Sequence, residues 1–571
     1  MTKPPFSVYS TWGLHDELGD RVELSEALAR AALGDLRRWA RHGVKPDYFH
    51  LDAFWFDPKR GYRQFKKPHW PRGFGPLRDE ILAAGLRPGL WYSTNGYSLD
   101  VPAWRESRCA NGHCSLVDGP YAEIFEGDLH HAADAWDVRL FKFDFVDFFA
   151  TPENVRRAPA ETYARAVERF CAILRGLRNS HPDIHVIVHC GFARNQRHQR
   201  TGWPFPVAAD PALLEVVDGY FSGDPQTMDI PQTDLTRNLD LYQDRAVWKL
   251  HQAGFPLDRI EDHGAVMATT NTGCYRGRAG FLRTHLGQLA RGGRRDLFYG
   301  DPRVLGDDDL TAMGRARTLF FDAWNRQLTT RFLGLGEPGL ASWHGYLTGG
   351  GARGLLYLVN PTFSRQRVEL PIVNLATARV LFHDGSAGPV MQAAPDRLTV
   401  DLGPEQMTLV GLGGYAGAEH ELGHQDDPAP PVATTLLPVI FRQAENGHDL
   451  LADLSVPLPE GGRLLVVAEV RDGGPQDPDA LLPHLFAAQN THQPGATMEP
   501  QSHALVRIAV TQGRRKVKPE RLVPEVPVWA GMSWVAAIFT LPAAAPCRIG
   551  IAQTLDPPRR LTAHAYAILD R

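Results

Sequence analysis

Two short segments carry charge where apolar strands normally exclude it. "FKFDF" (141–145) sets Lys142 and Asp144 between three phenylalanines. Alternate residues of a strand face the same side, so the phenylalanines share one face and Lys142 and Asp144 the other. An unpaired charge costs on the order of several kcal/mol to bury, and buried ion pairs are a poor source of stability. A chemical role explains the pair better. A neighbouring ammonium favours the ionised form of a carboxylate, which suits Asp144 to nucleophilic attack. "YFHLDAFWF" (48–56) places His50 and Asp52 on one face in the same way, and "YFSGDP" (220–225) carries Asp224 into a proline turn. Trp12, Trp55, Trp91, Tyr92 and Trp203 fall near predicted strand ends or in the loops after them. Carboxylates bind sugar hydroxyls and aromatic faces cover sugar C–H surfaces. Two carboxylates across such a mouth are the equipment of a glycosidase. A gap of about 5–5.5 Å would mean retention of configuration, and about 6.5–9.5 Å inversion.

These residues need a scaffold that brings strand ends together. Strand-like runs recur at 6–13, 47–56, 86–93, 138–145, 184–191, 216–224, 264–269 and 296–301. Amphipathic helices separate most of them. Residues 24–43 place Leu28, Ala32, Leu36 and Trp39 on one stripe, and Tyr163, Val167, Phe170, Leu174 and Leu177 mark another; residues 76–85 and 308–327 also read as helices. Eight strands alternating with helices predict an α/β fold, a (β/α)8 TIM barrel over residues 1–330. An open doubly wound sheet is the second reading. Asp52, Asp144 and Asp224 then sit at the C-terminal rim, where barrel enzymes keep their sites.

Beyond residue 330 the pattern shifts to strands joined by turns. It predicts an antiparallel β-domain over 331–415, a polar, proline-rich linker over 416–434 and a β-sandwich-like domain over 435–571. A G-x-G-x-x-G at Gly334, Gly336 and Gly339 follows a helix and contains Pro338, which is the wrong context for a dinucleotide loop. With 61 basic and 65 acidic residues and no long basic tract, nucleic acid is not an expected partner. No apolar run of about 18 residues exists to span a membrane, and the N-terminus lacks a secretory h-region. The expected location is cytoplasmic, with no cofactor and no metal. The last β-domain binds glycans, pairs subunits into a homo-oligomer or only covers the barrel, and its sequence does not choose.

The ordered motifs resemble the α-galactosidase-like glycoside hydrolases of families 27 and 36. "FKFDF" is similar to their K-x-D strand-four motif, and "LDAFW" to their strand-two L-D-D-G/C-W. "STWG" matches S-W-N of strand one, "GLRPGLWY" the G-L-x-x-G-L-W of strand three, "HCG" the Cys-containing loop after strand five, and "FSGD" the S-x-D or G-D of strand six. The resemblance implies a retaining α-glycosidase, α-galactosidase-like, that hydrolyses α-linked sugars through a covalent glycosyl-aspartate. Asp144 is then the nucleophile and Asp224 the acid/base. Lys142, Asp52, Trp12, Trp91, Cys190 and Trp55 are then expected to bind an oligosaccharide or glycoside substrate. Ala53 stands where the family has a second acid.

Two other readings stay open. His50 and Asp52, with His113, His189 and His263, could serve a metal-dependent barrel hydrolase. A non-catalytic carbohydrate-binding protein is the other. Cys109 and Cys114 in "CANGHC" can pair, bind metal or stay reduced. Arg194, Arg197 and Arg200, and the polar stretch 269–278, are expected in loops over the site.

Overall fold

A computed structural model describes residues 4–14, 23–144, 148, 150–188, 210–222, 230–262, 264–267, 280–339, 342–385, 387–425, 434–471, 502–523 and 534–569. Asp224, Cys190, Trp203, Arg194, Arg197, Arg200, His189, His263 and the stretch 269–278 lie outside these residues. The chain divides into two compact units. The first is Met1–Gly223, Ala246–Thr269 and Arg291–Thr330, and the second is Asp224–Arg245, Thr270–Ala290 and Arg331–Arg571.

The first unit is built on nine parallel strand segments: β1 Phe6–Ser10, β2 Tyr48–Leu51, β3 Arg87–Ser93, β4 Leu140–Asp144, β5 His185–Val188, β6 Gly219–Phe221, β7 Ile260–Glu261, β8 Ala265–Met267 and β9 Arg295–Gly300. Hydrogen bonding runs in the order β8-β9-β1-β2-β3-β4-β5-β6-β7. β7 and β8 follow each other closely along the chain. β7 pairs with β6 and β8 with β9, so the sheet returns to the same stretch of chain. All eight expected strands are present, and the fold is a (β/α)8 barrel.

The helices follow their strands: α1 Glu26–Arg41, α2 Gly75–Ala83, α3 Tyr121–Ala135, α4 Pro159–Ser180, α5 Leu235–Gln252, α6 Phe281–Ala290 and α7 Asp307–Asn325. α1 begins where the Ser25 hydroxyl accepts from the Leu28 N–H, and carries Glu26 in its first turn and Arg38 and Arg41 in its last. Its buried stripe is Ala29, Ala32, Leu33, Leu36 and Trp39, one residue around from the expected Leu28. α4 buries Val167, Phe170, Leu174 and Leu177 as its periodicity predicts. On the strand side, Phe143 meets Phe170 of α4 edge-on and Phe125 of α3. The phenylalanines of β4 therefore face the helices, which leaves Lys142 and Asp144 to the barrel interior. No helix among the described residues is long and apolar enough to cross a membrane.

In the second unit, the described residues of 331–425 form a six-stranded and a three-stranded sheet. They close on Leu347, Leu356, Val368, Leu398, Val400 and Val410. The described residues of 434–569 form two five-stranded sheets. Their inner faces meet at Val466, Ile508, Trp534, Ile538 and Ile549. Strands such as Leu450–Leu454 alternate buried and exposed residues, as half-buried antiparallel strands should. The Gly334–Gly339 triad lies between strands Thr330–Gly334 and His344–Gly350, away from any dinucleotide context.

Candidate active site

β4 ends at Asp144, and its register sets Trp91 of β3 beside Lys142. Trp91 is buried and its indole Nε1 donates to Asp144 Oδ2 at 3.3 Å. Asp144 keeps part of its surface exposed at the C-terminal end of the barrel. Lys142, one step below on the same face, is buried and donates to Asp52 Oδ2 at 2.8 Å. Its Nζ also lies 5.4 Å from the centre of the Tyr299 ring of β9, a favourable cation–π arrangement. Trp12 stands edge-on to the same tyrosine at 5.7 Å.

Asp52 follows directly after β2. Its Oδ2 accepts from Lys142 and from the Ser10 hydroxyl at 3.3 Å, and its Oδ1 accepts from the Ala53 N–H at 2.8 Å. Ser10 Oγ also lies 2.9 Å from His50 Nδ1. Burial pushes the Asp52 carboxyl up. The charge of Lys142, then that of His50, and the hydrogen bonds from Lys142 and Ala53 outweigh it and hold the group well below the usual carboxylate range. Burial likewise pulls the Lys142 ammonium down, but Asp52 and Asp144 hold it above its ordinary value. Both partners are therefore charged at neutral pH. Asp52 takes the direct contact with Lys142, and Asp144 is a second carboxylate within its field. Two carboxylates thus stand beside one ammonium. Such a mouth favours a substrate atom that becomes positive as it reacts.

The strand expected to run to residue 56 stops at Leu51. The Asp52 carboxylate caps the Ala53 N–H, and Phe54 takes a left-handed backbone with φ +69°. For an L-residue with a bulky side chain this costs about 1–2 kcal/mol. The turn sends the chain into a short hairpin, Phe56–Asp57 with Gly61–Phe65. It also places the Phe54 ring 6.1 Å from Trp91 and 6.3 Å from Tyr97. Trp55 points the other way. It has no exposed surface, donates to the Trp91 carbonyl at 2.9 Å and packs on Phe65, so it supports Trp91 from behind.

Tyr299 and Glu261 were not singled out by their sequence. Tyr299 could have been reached by alternation along "DLFYG", since it shares a face with Leu297 and Arg295. Glu261 lies on the two-residue β7. It is fully buried, and among the described residues its carboxylate oxygens have no hydrogen-bond partner. Burial pushes its carboxyl up to about 7, against the pull of Arg295 and Lys142. Cys109 and Cys114 are buried free thiols, pushed up to about 12 and about 11 by burial. Among the described residues no three His, Cys, Asp or Glu side chains converge as a metal site would require.

No protein-family model matches the chain, and no curated protein matches its sequence. Among solved structures it is similar to a candidate α-galactosidase from Bacteroides fragilis, at 16% identity over 72% of this chain and 79% of that one, with a TM-score of 0.46. A family 36 α-galactosidase variant from Geobacillus stearothermophilus, in complex with raffinose, is similar at 12% identity over 72% of this chain and 56% of that one, with a TM-score of 0.49. α-Galactosidase I from Mortierella vinacea is similar at 12% identity over 72% and 97% of the two chains, with a TM-score of 0.46.

Proposed function

We propose that the protein is a retaining α-glycosidase in which Asp144 is the nucleophile. The observation that carries this reading is the division of labour among three charges. Asp52 takes the direct contact with the Lys142 ammonium, while Asp144 stands half-exposed at the rim, oriented by the Trp91 indole. In the first step an Asp144 oxygen attacks the anomeric carbon. The glycosidic C–O bond breaks, and Asp224 gives its proton to the departing oxygen. In the second step Asp224 takes a proton from water, which attacks the same carbon and frees Asp144. Asp224 holds this role on the strength of its motif, "FSGD". The charge that develops on the sugar ring is positive, and the mouth is negative. Lys142 and Asp52, locked to each other, bind hydroxyls of the same sugar.

The test is a panel of aryl α- and β-glycosides with wild type, Asp144→Ala and Asp224→Ala. Turnover of one α-glycoside, its loss in Asp144→Ala and its rescue by azide with an inverted product are the expected outcome. Unchanged turnover in Asp144→Ala would sink the assignment.

A further inference from the structure

Phe54 is a bulky residue in a backbone conformation that favours glycine, at the position where the resembling strand-two motif carries Gly or Cys. A strained residue that persists has something to hold. Its ring is not core. It is half-buried, whereas Trp55 and Trp91 on either side have no exposed surface. From Phe54 a succession of rings continues to Tyr97 and His113. Tyr97 lies 6.3 Å from Phe54 with its plane tilted by 35°, and His113 lies 5.8 Å from Tyr97 with the planes within 17°. All three are half-buried. The strip begins beside Trp91, whose indole holds Asp144.

We propose that Phe54, Tyr97 and His113 form a platform for the sugars of the leaving group, and that the substrate is an α-linked oligosaccharide with at least two residues beyond the bond that breaks. Ring faces carry partial negative charge and attract the C–H faces of pyranoses. Successive rings about 6 Å apart suit successive sugars along a chain. The Phe54 turn is what places the first ring next to the reacting centre. The inference rests on the glycosidase reading and goes beyond it, because it names the part of the substrate that does not react.

The test compares two substrates of the sugar selected by the aryl panel: its α-glycosyl fluoride, whose leaving group cannot touch the strip, and an α-linked trisaccharide with that sugar at its non-reducing end. Phe54→Gly suits the backbone and removes the ring; Tyr97→Ala removes the second ring from a different segment. Each is expected to lower kcat/KM for the trisaccharide about tenfold while leaving that for the fluoride unchanged. A parallel fall for both substrates, or no fall for the trisaccharide, overturns the proposal. Fluoride hydrolysis surviving in Asp144→Ala would defeat the underlying reading instead. The dissociation constant of the trisaccharide on wild type, Phe54→Gly and Tyr97→Ala then still decides the strip: weaker binding in both variants supports it, and equal binding overturns it.

Discussion

The same barrel buries charge at both ends, and the two ends handle it differently. At the rim, Lys142 and Asp52 neutralise each other at 2.8 Å and Asp144 adds a further negative charge that water can reach. At the N-terminal end a cavity of about 280 Å³ is lined by Arg178, Arg259, Arg294 and Arg295 with Asp218 and Asp258 among others. The arginines there spend their donors on structure. Arg295 donates to the carbonyls of Gly293 and Asp258, Arg259 to those of Val217 and Leu214, and Arg178 to the Asp218 carboxylate. They tie off strand beginnings. The difference teaches which buried charge to read as chemistry: the one whose fixed partners leave an accessible group, not the one whose partners are backbone.

The largest expected effect separates the two ends by activity. Asp144→Ala should lower kcat by about 10⁴-fold or more, as loss of a nucleophile does, with little change in Tm. Glu261→Gln, deep in the barrel, should leave kcat near wild type although it also removes a buried carboxylate. Comparable losses of kcat in both variants would erase the distinction.

Second in size is the removal of one cation from each end. Lys142→Met removes the cation paired with buried Asp52, which costs about 3–5 kcal/mol of stability. Because Lys142 also sits in the field of Asp144, turnover per folded molecule should fall by about 10²-fold as well. Arg295→Met should lower stability, since three backbone carbonyls lose their donor, without changing turnover per folded molecule. Urea unfolding and titrated active-site concentration, measured on the same samples, separate the two effects.

Much of this was legible in the sequence, for a physical reason. Period-two alternation in "FKFDF" is fixed by backbone geometry, so the faces of Phe143 and Lys142 follow without a structure, as does the eight-strand count. Partnership does not follow. Which acid meets Lys142 depends on the strand register, and the sequence suggested Asp144 as its close companion where the structure pairs it with Asp52. Phe54 read as strand because nothing local, neither glycine nor asparagine, announces a left-handed turn. Its conformation is imposed by the Asp52 cap before it and the hairpin after it. Glu261 went unseen because β7 is two residues long, too short for a pattern to form. Asp224 and Cys190 lie outside the described residues.

The third prediction sets the ends against each other by pH. Asp52 has a depressed carboxyl, so its pairing with Lys142 stabilises the fold throughout the neutral range and is lost as pH falls below the usual carboxylate range. Glu261 has the opposite sign. Its folded value of about 7 lies above the 4.5 of the unfolded chain. Below 4.5 both states hold the proton. As pH rises from 4.5 to 7 the unfolded state ionises first, so stability declines, and the loss is complete above 7. Glu261→Gln should therefore be more stable than wild type at pH 8 by on the order of 2–3 kcal/mol, with the gain vanishing near pH 4. Asp52→Asn should show no such gain at any pH. Denaturant midpoints at pH 4, 6 and 8 check both slopes.

The smallest expected effect tests whether the lower end is as rigid as its hydrogen bonds imply. A Cβ on Gly219 would lie 2.8 Å from Glu261 Oε2 and 3.0 Å from Arg295 Cζ. If Arg295 is held by its carbonyls and Glu261 by burial, neither can move away cheaply, and Gly219→Ala should cost about 1–3 kcal/mol. Truncating Glu261 to alanine opens the space, so the cost of Gly219→Ala should shrink in that background, with a coupling of about 0.5 kcal/mol or more in a double-mutant cycle. Additive effects would mean that the carboxylate moves freely. The lower end would then be less rigid than its hydrogen bonds imply, and its contrast with the rim would rest on accessibility alone.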